Sequence, residues 1–311
     1  MCCRHSDPSR CRTSSRQASL CRAKPSLFFI VRSGKLTTPA TTRRYRLRMI
    51  PSAIRVAILA ACALSAACAG TLIRPVTPAK PAAEALLVLP GFGYGPGGER
   101  ALKSLAPSAA AEGMDLYVPT YISRRGLTRS RANLQHFIRD QGLNRYRRVH
   151  VFAFIAGGWT FNPLAELGAL PLATIIYDRS PFQERAPRIA ADRLGLLTWL
   201  RYGPTVADVA NTPYTPLTLQ DTRVALMVET KPAPFIRRFS STARRYGPYR
   251  FECDAFAQRY DDCLYLSMDH GEVYVRFAEI WPELLAFIRT GRFTSGANRT
   301  PPVLDSAGLA R

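Results

Sequence analysis

Short, fully apolar runs that stop at glycine or proline alternate along this chain with segments whose apolar residues recur at helical spacing. The alternation predicts an α/β fold: a mostly parallel sheet with helices on both faces and a small helical cap. Two runs carry the prediction. Ala85-Leu86-Leu87-Val88-Leu89 and Val149-His150-Val151-Phe152-Ala153-Phe154 are almost continuously apolar, as strands covered on both faces are, and each runs into glycines. With 311 residues, 47% of them hydrophobic and 21% charged, the chain can bury a sizeable core. It is too long for a small disulfide-stapled module.

In order, the first strand breaks at Pro90-Gly91-Phe92-Gly93-Tyr94-Gly95. A helix is expected over about 99–112, then a short strand over 115–118. Leu134, Phe137 and Ile138 share one face of a helix predicted over 130–139. The strand at 149–154 leads into Gly157-Gly158, and further strands are expected at 174–177, 224–228 and 263–266. Residues 181–221 interrupt the alternation with a helical insert containing arginine and leucine, the expected cap. A last helix over 272–288 carries Phe277, Ile280, Leu284 and Phe287 as its apolar stripe. The domain spans 84–290, and 291–311 reads as a loose tail.

The formal net charge of +21 invites a nucleic-acid reading, but its distribution argues against one. Residues 1–48 hold 12 Lys and Arg against one acid, Asp7, whereas 69–311 hold 30 against 21. No nucleic-acid partner and no cofactor is expected. Residues 1–48 read as a basic arm, or as upstream sequence ahead of a start at Met49 in place of Met1. After Met49 comes one arginine, Arg55, then an apolar run over 56–67, then small residues before Cys68. That is the order of a secretory signal over 49–68.

Leu64-Ser65-Ala66-Ala67-Cys68 resembles a bacterial lipobox. Leu59-Ala60-Ala61-Cys62 resembles one too, but cleavage there leaves an apolar core shorter than the roughly 7–15 residues a signal uses. Lipidation at Cys68 would hold the protein on a membrane without spanning it, and Ala69 resembles the outer-membrane sorting pattern. The expected location is the bacterial envelope, on the periplasmic side of the outer membrane. A weak spanning anchor over 56–73 is the other reading. Pro75, Pro78 and Pro81 make 69–83 an extended tether. Beyond Cys68 only Cys253 and Cys263 remain of the eight cysteines, and an oxidising compartment would pair them. Their neighbours have no metal-ligand spacing, so no metal is expected.

Ala153-Phe154-Ile155-Ala156-Gly157 sets small residues around a strand-to-helix turn. Pro90-Gly91-Phe92-Gly93 follows the first strand, and Met268-Asp269-His270-Gly271 follows the last. In this order the three segments resemble the α/β-hydrolase superfamily of lipases and esterases, over about residues 84–290. The resemblance implies a nucleophile at the centre of the turn. Ile155 stands there, and one register on stands Ala156; neither has an oxygen or sulfur to attack a carbonyl. It further implies an oxyanion or ligand loop at Gly91, Phe92 and Gly93 with Ala156, a general base at His270, and an acid at Glu229 or Asp178. Pro90 replaces the histidine of the family's loop. Ser267 lacks an elbow, Thr160 reads as structural, and Gly91, Gly93 and Gly95 miss the dinucleotide spacing.

Two functions follow. The missing nucleophile favours a non-catalytic envelope lipoprotein that binds an apolar or acyl small molecule, or a partner. The retained His270 and its acid favour an esterase or lipase, or a His–acid dyad that moves protons without a covalent intermediate. Pairs such as Arg124-Arg125 and Arg237-Arg238 read as solvated faces, or as contacts to anionic head groups.

Overall fold

The computed structural model describes residues 83–168 and 170–303. The signal, both lipobox cysteines, nearly all of the tether and the end of the tail lie outside the described residues. Six strands form one sheet: β1 (Glu84–Leu89), β2 (Met114–Tyr117), β3 (Arg148–Ala153), β4 (Leu172–Arg179), β5 (Arg223–Glu229) and β6 (Asp262–Leu266). Their order is β2-β1-β3-β4-β5-β6, and every neighbouring pair is parallel. The chain leaves β1 for β2 on one side and returns to β3 on the other. A crevice therefore opens between the carboxyl ends of β1 and β3, where α/β sheets place their ligands.

Side chains alternate across each strand, so β1 serves two cores. Leu87 and Leu89 pack with helices α2 (Leu127–Asp140) and α3 (Ile155–Ala165) through Leu134, Ile138 and Phe161. Leu86 and Val88 face the opposite layer. There α1 (Pro96–Ala111) contributes Leu102 and Leu105, and α10 (Phe277–Thr290) contributes Phe277, Ile280, Leu284 and Phe287. The architecture is α/β, α/β-hydrolase-like, with helices on both faces.

The insert between β4 and β5 holds α4 (Pro181–Glu184), α5 (Ala186–Tyr202) and α6 (Thr205–Asn211). It is latched at the end of α5. Gly203 turns there with φ 61°, and a Cβ on it would sit 1.8 Å from the Arg124 carbonyl oxygen, so only glycine fits. Beside it Thr205 Oγ1 accepts from the Gly126 N–H at 3.0 Å, and Asp208 accepts from the Leu127 N–H at 2.8 Å. Short helices α7 (Pro234–Arg238) and α8 (Ser240–Arg244) follow β5.

The single last helix expected over 272–288 is instead two, α9 (His270–Val275) and α10, broken at Arg276 (φ −107°, ψ 25°). The break lets Tyr274 turn toward the sheet's carboxyl edge while Phe277 enters the core. Part of the segment expected as a loose tail is tied to the domain. Phe293 is buried, the Tyr265 N–H donates to the Asn298 carbonyl at 2.8 Å, and Arg299 pairs with Asp262 at 2.9 Å. Cys253 and Cys263 are joined by a disulfide, with Cα atoms 6.6 Å apart.

At the sheet's other edge a buried carboxylate ties three elements together. Glu84 opens β1 and meets Arg148 and His150 of β3 and Arg289 of α10, the last two at 3.2 and 3.0 Å. Burial pushes its pKa up, but Arg148 and His150 outweigh burial and bring it to about 2. This pairing stabilises the fold above the ordinary carboxylate range and is lost as pH falls toward about 2. Glu84→Gln should cost about 3 kcal/mol in urea unfolding at pH 7, with the difference shrinking in acid. An unchanged midpoint would show that the cluster is ornamental.

Candidate active-site cleft

The strand ends bring together the three side chains expected to act as base and acid. Asp178 comes from the end of β4, Glu229 from the end of β5, and His270 from the first position of α9. Asp269 and Glu272 fix that helix start. The Asp269 side chain accepts from the N–H groups of Gly271 (2.8 Å) and Glu272 (3.1 Å), and Glu272 accepts from the Asp269 N–H at 2.9 Å. This reciprocal capping box determines where the His270 ring enters the site.

His270 Nδ1 donates to Glu229 Oε1 at 2.8 Å, and Asp178 Oδ2 lies 3.3 Å from the same nitrogen. Both carboxyls are wholly buried. Phe154 and Tyr274 stack at 4.1 Å, and the imidazole stands edge-on to both. Its Nε2 faces Gly91, 3.6 Å from where a Cβ there would lie. The two acids offered as alternatives in the sequence thus serve one histidine. The sequence reading missed Tyr274. Its hydroxyl accepts from the Gly91 N–H at 2.7 Å, while the Tyr121 hydroxyl donates to the Pro90 carbonyl at 2.6 Å. Two buried phenols therefore hold the loop where the resemblance puts oxyanion donors. The available signal was the Asp269-x-x-Glu272 box, which starts a helix and sets Tyr274 one turn after His270.

The turn itself is tight. Phe154 is extended (φ −62°, ψ 164°), Ile155 opens α3, and the Gly158 N–H is the one that bonds back to Phe154. The N–H groups of Ile155, Ala156 and Gly157 thus have no partner within the helix. A Cβ on Gly157 would come within 2.9 Å of both Leu89 Cβ and its carbonyl oxygen, so this glycine lets α3 start against β1. Thr160 Oγ1 donates to the Ala156 carbonyl at 2.8 Å and is structural. Ser267 is exposed, and no hydrogen bond joins it to His270.

A cavity of about 400 Å³ opens over these groups. Gly91, Phe92, Gly93, Ile155, Ala156 and His270 form its floor, and the cap forms its roof. The roof includes Ala190, Leu194, Thr198 and Tyr202 of α5. Among the described residues that line it there is no serine and no cysteine. Thr198, the aliphatic hydroxyl present, sits on the roof and donates to the Ala190 carbonyl at 3.2 Å.

Burial disfavours the charged forms of Glu229 and His270. Burial, and then Asp178 beside it, push Glu229 well above the ordinary carboxylate range. For His270 burial pushes down, yet Glu229 and Asp178 more than offset it and raise the imidazole to about 10. Glu229 and His270 are therefore coupled, each titration depending on the charge of the other. Asp178, Glu229 and His270 also offer one donor atom each within 4.8 Å, a spacing compatible with a metal ion. Two of these atoms, His270 Nδ1 and Glu229 Oε1, are joined directly by the 2.8 Å hydrogen bond.

No protein-family model and no curated protein matches the sequence. Among solved structures, the chain is similar to an α/β hydrolase fold protein from Chitinophaga pinensis, at 12% identity over 71% of this chain and 97% of that one, with a TM-score of 0.42. It is similar to a thermophilic esterase from Thermogutta terrifontis at 14% identity, over 71% and 100% of the two chains, with a TM-score of 0.40. For a Bacillus licheniformis lipase in its propeptide form the values are 14% identity, 76% and 56% coverage, and a TM-score of 0.49. Likeness this distant assigns no chemistry here; the α/β-hydrolase-like architecture rests on the chain's own strand order.

An imidazole raised to about 10 adds stability that is complete below its ordinary value of 6.5 and is lost as pH rises through about 10. In an NMR titration the His270 ring should stay protonated across pH 6–9, and Glu229→Gln should bring its titration back toward neutrality. A wild-type ring that titrates at or below 6.5 would contradict the cluster as described.

Proposed function

We propose that this chain is a binding protein built on an α/β-hydrolase-like frame. It holds an acyl or comparably apolar ligand under its cap, with the ligand's polar head at His270, and forms no covalent intermediate. The observation that carries this reading is the cavity wall. Ile155 occupies the turn where acyl-transfer chemistry needs a nucleophile, and no serine or cysteine is among the described lining residues. Loss of a nucleophile costs an acyl-transfer enzyme several powers of ten.

The remaining groups suit a ligand oxygen. An imidazole that keeps its proton at neutral pH is a donor at Nε2 and a poor base. The first-turn N–H groups of α3 add further donors, and the rest of the wall is mainly apolar. A carbonyl or carboxylate oxygen on an acyl chain matches both parts. The lipobox-like segment ending at Cys68 supports an envelope setting in which such ligands are plentiful.

A hydrolase that works through His270 and water is the second reading, favoured by the 2.8 Å contact between Nδ1 and Glu229. The two readings separate in one assay series. Esters of short to long chain length should turn over no faster than in buffer. A fluorescent fatty acid should bind, and His270→Ala should weaken it about tenfold or more, the scale of a lost charged hydrogen bond, while leaving the fold intact. Ester hydrolysis that disappears in His270→Ala would overturn the binding reading.

A further inference from the structure

Helix α5 is apolar on two opposite sides. One side of its last two turns lines the cavity through Thr198 and Tyr202. The other faces solvent over its last two turns, where Leu196, Leu197, Trp199 and Leu200 are 71%, 64%, 57% and 46% exposed. Four large apolar side chains within five residues form a patch and are not scattered singles.

The charge around the patch is mostly basic. Arg193 and Arg201 lie on the same helix and are exposed, with Arg193 Nε donating to Thr242 Oγ1 and Arg201 Nε to the Tyr202 hydroxyl. Arg124 donates to the Leu200 carbonyl, which brings the exposed Arg124-Arg125 pair to the patch's edge. The acid on this stretch of α5, Asp192, is engaged by Tyr246 and Arg245. A second copy seated here would set arginine against arginine. An apolar centre with a basic rim instead complements a surface that is apolar within and anionic at its head groups.

We propose that the outer face of α5 docks on an anionic lipid bilayer, with Leu196, Leu197, Trp199 and Leu200 entering the head-group boundary and Arg124, Arg125, Arg193 and Arg201 meeting lipid phosphates. This contact is separate from any acyl anchor at Cys68, since it lies on the described domain. The docked helix is also the cavity roof, so the face that meets lipid lies one helix thickness from the ligand site. That last link rests on the proposed function; the docking face does not.

The test uses the full chain with Trp159→Phe and Trp281→Phe, which leaves Trp199 as the one tryptophan of three. Vesicles of phosphatidylcholine with one quarter phosphatidylglycerol should shift its emission to the blue, and brominated acyl chains should quench it. Pure phosphatidylcholine should give a much weaker response, and high salt should reverse the anionic one. In the otherwise wild-type chain, Leu197→Glu with Leu200→Glu should weaken vesicle flotation about tenfold or more. Trp199 emission that does not move while the protein still floats would overturn the proposal, because binding would then use another part of the chain. So would a dimer in sedimentation that Leu197→Glu dissociates without vesicles, since the face would then belong to a second copy. A loss of vesicle binding accompanied by unchanged fatty-acid binding would leave the cavity reading standing and locate the lipid contact on α5.

Discussion

Two carboxyl groups, Asp178 and Glu229, stand without solvent at the ends of adjacent strands and share one imidazole. Burying even one carboxylate is costly; burying two side by side is tolerable only if cations or protons accompany them. The surrounding structure meets that demand. The capping box at Asp269 and Glu272 starts α9 so that His270 arrives between the acids. Tyr274, one turn later, braces the ring on one side and holds the Gly91 N–H on the other. The break at Arg276, which divides two helices, lets both this turn and the apolar stripe of α10 find their places.

The same constraint decides what the cleft can do. A histidine beside one acid alternates readily between base and acid near neutral pH. Beside two buried acids it keeps its proton, and Glu229 is driven toward its neutral form as well. The cleft then offers a donor to whatever oxygen occupies it. Ile155 at the turn gives that oxygen an apolar neighbour and no attacking atom. The proposed function, to hold an acyl head, draws on both the hydrolase-like frame and the apolar Ile155 at the turn.

The sequence revealed a great deal of this, for physical reasons. Strands covered on both faces must be continuously apolar, so β1, β3, β4, β5 and β6 were each legible within a residue or two. Glycine at 157 is demanded by the approach of α3 to Leu89, and small residues around Ile155 marked the turn. His270, Glu229 and Asp178 were legible through their order after successive strands. That both acids face one ring was not, because sequence order places strand ends but not side-chain directions. The division of the last helix was hidden for a similar reason. Its apolar period continues across Arg276, and the competing signal was the capping box upstream. The two-sided character of α5 could be read only once the cavity showed which of its apolar residues were already used.

In the proposed function His270 presents a proton to a ligand oxygen and does not take one away. Calorimetry with dodecanoate and with its methyl ester, at pH 7 and again at pH 10.5, tests it most directly. At pH 7 the carboxylate should bind about tenfold or more tightly than the ester. Above pH 10, as His270 loses its proton, that preference should shrink while the ester's affinity holds. Equal affinity at both pH values, or release of dodecanoate from the ester during the titration, would contradict it.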